Sequence, residues 1–251
     1  MEPTDYIYGL RAVIEAIEAG KDIDKILIKK DLQGDLANEL MRLVREHHLY
    51  AQRVPIEKIS RITQKNHQGV VAFLSSVTYT RVGELVPSLY ESGVLPFVIV
   101  LDGITDVRNF GAIARTAECC GANALVIPER HSASAGGDAM KTSAGALNYI
   151  QVCRERNLTS AVKYLKDNGY QIIGVTEKAN LNYTEPDYTT PVALVMGAED
   201  VGISPEILDL CDYRVSIPMF GKIGSLNVSV AAGVMMYEVV RQRLKADMEV
   251  I

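Results

Sequence analysis

The sequence has few cysteines and no long apolar run. Its four cysteines form no C-x-x-C pair and have no histidine at ligand spacing, so neither a structural zinc site nor a disulfide framework is expected. The longest strongly apolar run, residues 94–101, contains a proline and is far too short to span a bilayer. The first residues are acidic and lack the apolar segment of a secretory signal. We therefore expect a cytoplasmic protein with no membrane partner and no metal.

The sequence also lacks an excess of positive charge. A net charge of −5 argues against binding nucleic acid by bulk charge alone, because phosphate binding needs a local concentration of Lys and Arg. The charge is unevenly distributed. Residues 1–76 carry eleven basic and eleven acidic side chains, whereas the remainder carries fifteen basic against twenty acidic. The N-terminal third is thus relatively the more basic part.

The hydrophobic pattern of the 251 residues predicts an α/β protein with two domains. Residues 1–76 alternate amphipathic helices with short strands, as expected for a small α/β domain. Residues 77–96 carry Gly and Pro without long apolar periodicity, which is typical of a linker with at most a short helix. Residues 97–251 contain apolar runs of strand length separated by helical stretches, which predicts a parallel sheet. The five runs are 97–101, 125–127, 172–175, 192–196 and 213–217.

Three predicted strands run into loops rich in small and polar residues, at 101–109, 196–204 and 217–227. In open α/β sheets, ligands bind outside the carboxyl ends of strands, so these loops are the candidate site. No G-x-G-x-x-G follows the first strand of the larger domain, and no G-x-x-x-x-G-K-[ST] is present. The sequence therefore supports neither a dinucleotide fold nor a P-loop.

The same loops resemble the three ordered motifs of the SPOUT-class (SpoU family) RNA 2′-O-ribose methyltransferases. The matching segments are Asn109–Ala117, Gly197–Ser204 and Ser225–Gly233. Two further segments, Tyr8–Val13 and Asn66–Val70, resemble the ribosomal-protein-like substrate-binding domain of the branch that modifies guanosine in 23S rRNA. Nearly the whole chain is covered. The resemblance implies a trefoil-knotted C-terminal domain, S-adenosylmethionine as cofactor, a homodimer, and a role in rRNA processing.

Two alternatives stay open beside this interpretation. The first is a tRNA ribose 2′-O-methyltransferase, although the full N-terminal domain is more typical of the rRNA branch. The second is a catalytically silent RNA-binding protein of ribosome assembly that keeps the fold.

Arg115 lies opposite the apolar stripe of its predicted helix, and taken alone it is a solvated arginine. Arginine stays protonated in proteins and is a poor general base. The resemblance implies instead that Arg115 binds the RNA phosphate beside the target ribose and helps that phosphate take the proton of the 2′-hydroxyl.

The resemblance implies a catalytic site with four further residues: Asn109, Glu199, Ser225 and Asn227. Taken alone, the two asparagines precede helices and are ordinary N-caps, and the glutamate is an exposed turn carboxylate. Three more residues correspond to positions that hold S-adenosylmethionine, largely through backbone groups: Gly197, Ile217 and Leu226. A turn glycine and two core residues would look the same.

Two other features of the sequence indicate partners. Five basic side chains fall within fifteen residues against a single acid, namely Arg53, Lys58, Arg61, Lys65 and His67. They form either a solvated face or a surface that contacts RNA phosphates and unpaired bases. The segment 226–240 is apolar around much of its circumference, more than one helix packed on one sheet requires. The excess predicts a symmetric dimer, the alternative being that the helix is simply central in its own domain.

Overall fold

A computed structural model describes residues 6–249, which form two compact α/β units. The first unit comprises the chain through Thr78 together with Ser134–Gly137. The second comprises Tyr79–Ala133 and the chain from Asp138 onward. Among the described residues, no helix is both long enough and apolar enough to cross a membrane.

The first unit is a four-stranded mixed sheet with two helices on one face. Its elements are β1 (Tyr6–Tyr8), α1 (Leu10–Glu18), β2 (Ile23–Lys29), α2 (Asp35–Glu46), β3 (Ala51–Val54), α3 (Ile56–Ser60) and β4 (Val70–Leu74). The strand order is β1-β4-β2-β3, with only β2 and β3 parallel. Val13, Ile14 and Ile17 recur at helical spacing, so α1 turns one apolar face to the sheet, where it shares a core with α2.

The second unit is an eight-stranded sheet in which every pair of neighbouring strands is parallel. The strand order is β10-β12-β9-β11-β6-β7-β8-β5. The elements are β5 (Tyr79–Thr80), α4 (Val82–Glu91), β6 (Phe97–Asp102), α5 (Val107–Cys119), β7 (Ala124–Pro128), α6 (Gly137–Thr142), β8 (Gln151–Glu155), α7 (Leu158–Asp167), β9 (Gln171–Val175), β10 (Leu181–Asn182), β11 (Val192–Gly197), α8 (Pro205–Leu208), β12 (Tyr213–Ser216) and α9 (Val228–Glu249).

The central strands β6 and β11 are buried on both faces. Val98 and Val100 of β6 pack in the core that includes α4 and α7, while the alternate residues Phe97 and Ile99 point to the opposite face and are equally buried. Burial on both faces explains why these strands are continuous apolar runs in the sequence.

Most of the segment predicted as a linker, residues 79–96 of 77–96, belongs to the second unit instead. Strand β5 pairs with β8, and α4 buries Val82, Leu85, Val86 and Leu89 against the sheet. Pro87 inside α4 costs about 3 kcal/mol by removing a backbone hydrogen bond. Burial of four apolar side chains, at about 1.5 to 3 kcal/mol each, outweighs that cost.

Candidate functional site

The three loops singled out in the sequence meet at the carboxyl edge of the large sheet. Strands β6 and β11 are neighbours in register, with Met196 beside Leu101 and Gly197 beside Asp102. A carboxylate oxygen of Asp102 accepts a hydrogen bond from the backbone N–H of Ser204 at 2.7 Å. The parallel register therefore brings the loops that follow both strands to one place and ties them together.

Glu199 is the centre of a polar cluster that joins these loops. Its Oε1 accepts hydrogen bonds from Asn227 Nδ2 at 2.6 Å, from Asn109 Nδ2 at 3.2 Å and from the backbone N–H of Val228 at 3.3 Å. Asn227 Nδ2 also approaches Asn109 Oδ1 at 3.0 Å. The structure thus brings together three of the predicted site residues from three separate segments of the chain.

Only one of the two asparagines, Asn227, caps a helix. Asp106, not Asn109, caps α5, because its Oδ1 accepts from the backbone N–H groups of Arg108 and Asn109 at 2.8 and 2.9 Å. The N-cap interpretation of Asn109 is therefore wrong. Asn227 does cap α9, since its Oδ1 accepts from the N–H of Ser229 at 2.9 Å. Its amide nitrogen remains directed at Glu199.

A tight turn places Glu199 at the cluster. Ala198 and Gly202 exchange backbone hydrogen bonds of 3.2 and 2.8 Å, and Gly202 has a φ of +73°. A Cβ added at Gly197 would lie 2.2 Å from the carbonyl carbon of Gly202 and from the nitrogen of Ile203. Only glycine permits this close approach, so the loop folds back on the end of β11.

A cavity of about 440 Å³ opens beside the cluster. Its walls include all three residues predicted to hold a cofactor, Gly197, Ile217 and Leu226, together with Glu199, Ser225 and Asn227. Val175, Thr176 and Glu177 at the end of β9 also line it, and sequence analysis did not identify them. The sequence feature that could have identified them is their position at the end of a predicted buried parallel strand. A cavity of this size suits a nucleoside-sized ligand.

Arg115 lies outside this cluster. It is exposed on α5, opposite the buried stripe that contains Phe110, Ile113 and Ala114, and it does not line the cavity. No hydrogen bond or ion pair joins it to another residue within 6–249. Its guanidinium is available to a partner outside the protomer.

Four of the five predicted RNA-contacting residues are exposed cations of the first unit: Arg53, Lys58, Arg61 and Lys65. His67 differs, because it is half-buried and its Nδ1 accepts from the N–H of Gly69 at 3.0 Å. Nearby, Gln68 Oε1 accepts from the N–H of Leu10 at the start of α1, at 3.1 Å. The two N-terminal motif segments therefore contact each other and stabilise this turn.

Three of the four thiols lie in surroundings that disfavour the thiolate. Burial raises the pKa of Cys120 and of Cys211 to about 11 and that of Cys153 to about 12, so these thiols stay protonated near neutral pH. Within residues 6–249, no group of three or more His, Cys, Asp or Glu side chains is arranged to hold a metal ion.

Comparisons with known proteins bear on both units. Residues 96–237 match the SpoU rRNA Methylase family, and residues 6–80 match the family described as RNA 2′-O ribose methyltransferase substrate binding. A relative from Staphylococcus saprophyticus, whose name places it in the TrmH family of tRNA/rRNA methyltransferases, is 38% identical over 94% of this chain and 95% of its own.

Two solved structures are similar to this chain and cover different shares of it. The SpoU methyltransferase AviRb from Streptomyces viridochromogenes, in complex with the cofactor AdoMet, is 26% identical with a TM-score of 0.60, covering 96% of this chain and 90% of that one. The A. aeolicus TrmH/SpoU tRNA modifying enzyme is 30% identical with a TM-score of 0.55, covering 66% of this chain and 86% of that one.

Proposed function

This chain belongs to the SpoU family of RNA methyltransferases, and on that premise we propose that it methylates a ribose 2′-hydroxyl in RNA, at a guanosine of 23S ribosomal RNA. The family uses S-adenosylmethionine. The observation that carries the proposal is the convergence of Asn109, Glu199 and Asn227 beside a cofactor-sized cavity. These residues match the family motifs, and a silent RNA-binding protein would not need them assembled.

The cavity fits the cofactor in size and in chemistry. Gly197 has no side chain to fill it, Ile217 and Leu226 supply apolar wall, and the backbone of the three loops supplies hydrogen-bonding groups. When bound, S-adenosylmethionine supplies an electrophilic methyl group. Glu199 ties the loops beside the cavity together by accepting hydrogen bonds from Asn227 and Val228, and Ser225 lines the cavity wall.

Arg115 binds the RNA phosphate next to the target ribose. That phosphate would take the proton of the 2′-hydroxyl as the O–CH3 bond forms and the S–CH3 bond of the cofactor breaks, with the thioether as leaving group. Arg115 would stabilise the charge of the phosphate and hold the hydroxyl in line. Arg115 is exposed and does not line the cavity of its own chain, which is consistent with an assembly in which a second copy lies close to each site.

The assembly is a homodimer that packs through α9. The exposed side of this helix carries Val230, Tyr237, Leu244 and Met248, a row of apolar residues at spacings of seven, seven and four. A row of this kind is the seam expected between two packed helices. A symmetric dimer buries the row and places α5 of each copy, which packs against α9, near the interface.

The proposal includes a trefoil knot in the second unit. Strand β12 lies beyond β9 in the sheet, yet the next element, α9, packs against α5 and β11. The intervening segment therefore crosses the carboxyl end of β11, where the 197–204 loop stands. We assign this crossing to a passage through the loop, in line with the family resemblance and against the general rule that chains do not thread loops.

The substrate assignment rests on the first unit. Arg53, Lys58, Arg61 and Lys65 present exposed cations to RNA phosphate, and residues 6–80 match the family's substrate-binding domain. The A. aeolicus tRNA enzyme matches only 66% of this chain, so the similarity to it leaves a third of the chain without a counterpart. Ribosomal RNA is therefore favoured over tRNA, and the cytoplasm is the expected place of action.

Mapping 2′-O-methylation in cells with and without the protein tests the assignment. One ribose methylation in large-subunit rRNA should disappear when the gene is deleted and return when it is restored. Loss of a methylation in tRNA instead would establish the tRNA alternative. If no RNA methylation changes, the protein is not a methyltransferase under those conditions and the silent ribosome-assembly function gains support.

A further inference from the structure

Phe220 is the most exposed large apolar side chain of the described residues. It is 98% exposed, whereas Phe97 and Phe110 are buried in the core. It lies in the segment between β12 and α9, two residues from Lys222, which is also exposed. Lys222 makes no hydrogen bond or ion pair with another residue of the part that the structure describes.

Single apolar side chains on a surface need no explanation, but Phe220 is not alone. Val201 is 77% exposed and Ile223 is 75% exposed. Each of the three is next in sequence to a residue that lines the cavity: Gly202 beside Val201, Met219 beside Phe220, and Gly224 beside Ile223. These three exposed apolar residues, which we call the rim, therefore flank residues of the cavity wall.

The cofactor itself does not explain the rim. Met219 lines the cavity, whereas the next side chain, Phe220, points into solvent and contributes nothing to the cavity wall. A Cβ added at the neighbouring Gly221 would have no atom within 4 Å, so this part of the loop stands clear of the body of the protein. The ring thus has open space on the side away from the cavity.

The base of the reacting nucleotide would lie in this open space beside the Phe220 ring. In a ribose, the 2′-hydroxyl is on the carbon next to the one that carries the base. When the hydroxyl reaches the cavity mouth, the base must lie against the surface around that mouth. Unpaired RNA bases are commonly held by stacking on an aromatic ring, and a nearby cation can bind the adjoining phosphate.

We propose that Phe220 is the stacking platform for the base of the methylated nucleotide, with Lys222 binding the phosphate beside it. This inference rests on the proposed function and adds a substrate requirement, namely an unpaired target nucleotide turned out of any helix. Stacking uses the face that every base has, so Phe220 sets the affinity for the nucleotide and not the identity of its base.

Steady-state kinetics of Phe220→Ala test the proposal, using whichever of protein-free large-subunit rRNA or tRNA accepts methyl groups from the wild-type protein. We expect KM for the RNA to rise about fivefold to a hundredfold, the usual effect of losing one base stack, with the Kd for S-adenosylmethionine unchanged. Phe220→Trp should restore KM and Phe220→Leu should not, because the requirement is for a ring. Tyr149→Ala is the matched control, since Tyr149 is 81% exposed but precedes β8 and so lies at the opposite edge of the sheet.

Three outcomes would overturn the proposal. An unchanged KM for Phe220→Ala would show that the ring makes no stacking contact with the RNA. A weaker Kd for S-adenosylmethionine assigns the ring to the cofactor, and a shift from dimer to monomer in sedimentation equilibrium assigns it to a second copy. If the wild type transfers no methyl group to either RNA, the proposed function is wrong, and filter binding of wild type and Phe220→Ala to the same rRNA then decides the stacking claim by itself.

Discussion

At the scale of single residues, the site contains Glu199, one of whose carboxylate oxygens is hydrogen-bonded within the protomer, and Arg115, which has no hydrogen bond or ion pair within residues 6–249. Glu199 Oε1 accepts from two asparagine side chains and one backbone N–H. Arg115 is exposed and has no partner within residues 6–249. The two residues should therefore respond differently to substitution.

Arg115→Ala should reduce methyl transfer to background while leaving the melting temperature and the Kd for S-adenosylmethionine close to wild type. The side chain lies off the buried stripe of α5 and away from the cavity, so its loss removes only the contact to RNA phosphate. Transfer assays together with calorimetric cofactor binding measure both quantities. Weakened cofactor binding would contradict the assigned role, and an unchanged rate would remove Arg115 from the site.

Glu199→Gln should lower both stability and activity. The three donors on Asn109, Asn227 and Val228 already share one oxygen, which glutamine can keep, but the amide has no negative charge and is a weaker acceptor for all three hydrogen bonds. We expect a loss of roughly 1 kcal/mol in the free energy of unfolding, since the site is open to solvent, and at least a tenfold fall in kcat. Glu206→Gln on the exposed face of α8 is the control. Equal behaviour of the two variants would show that the hydrogen-bonded cluster has no function.

At the scale of elements, the shape of the β11–α8 loop depends on Gly197. In Gly197→Ala the new methyl group would meet the Gly202–Ile203 backbone at 2.2 Å, which cannot be relieved without moving the loop. We expect destabilisation by about 1 to 3 kcal/mol and at least a tenfold weaker Kd for S-adenosylmethionine. Gly221→Ala, where the methyl group meets nothing within 4 Å, should change neither. Isothermal titration and thermal unfolding of the pair would refute the close-approach argument if the two variants behave alike.

The sequence predicts the elements whose buried residues form a long, regular apolar pattern and misses those that are short or interrupted by Gly and Pro. Val98 and Val100 or Val13 and Ile17 lie in regular patterns because burial selects the residue at each position. Strands β1, β5 and β10 have only two or three residues, too few for a pattern, and α4 was hidden by Gly83 and Pro87. The hydrogen bonds of Glu199 were equally out of reach. They join residues 28 and 90 positions apart, which come together through the register of β6 and β11 and the position of α9.

The surface of the first unit carries the next prediction. Replacing Arg53, Lys58, Arg61 and Lys65 together by Ala should weaken RNA binding and flatten its salt dependence, because each lost phosphate contact removes roughly 0.7 to 0.9 from the slope of log K against log salt. His67 is left in place because it holds a turn. Filter binding over a range of salt concentrations, with the cofactor Kd as internal control, makes the measurement. If the fourfold variant binds RNA with the affinity and the salt dependence of the wild type, these cations do not contact RNA.

At the scale of the whole molecule, the proposed dimer would cover the apolar row of α9 that is exposed in the protomer. Tyr237→Lys combined with Leu244→Lys places two cations per copy on the exposed row of α9, where the side chains are outside the protomer core. We expect wild-type protein to be a dimer at micromolar concentration and the variant to be a folded monomer with little activity. Lys163→Glu, on the exposed face of α7, should remain an active dimer. Sedimentation equilibrium distinguishes them, and a monomer with full activity per chain would contradict the assembly.

The most direct test of the account is the chemical identity of the methylated product. Purified protein is incubated with S-adenosylmethionine labelled in the methyl group and with protein-free rRNA or tRNA, and the RNA is digested to nucleosides. The account predicts that the label appears in 2′-O-methylguanosine from large-subunit rRNA, and that Arg115→Ala gives none. Label in a base, or no label in any RNA with the wild-type protein, would contradict it.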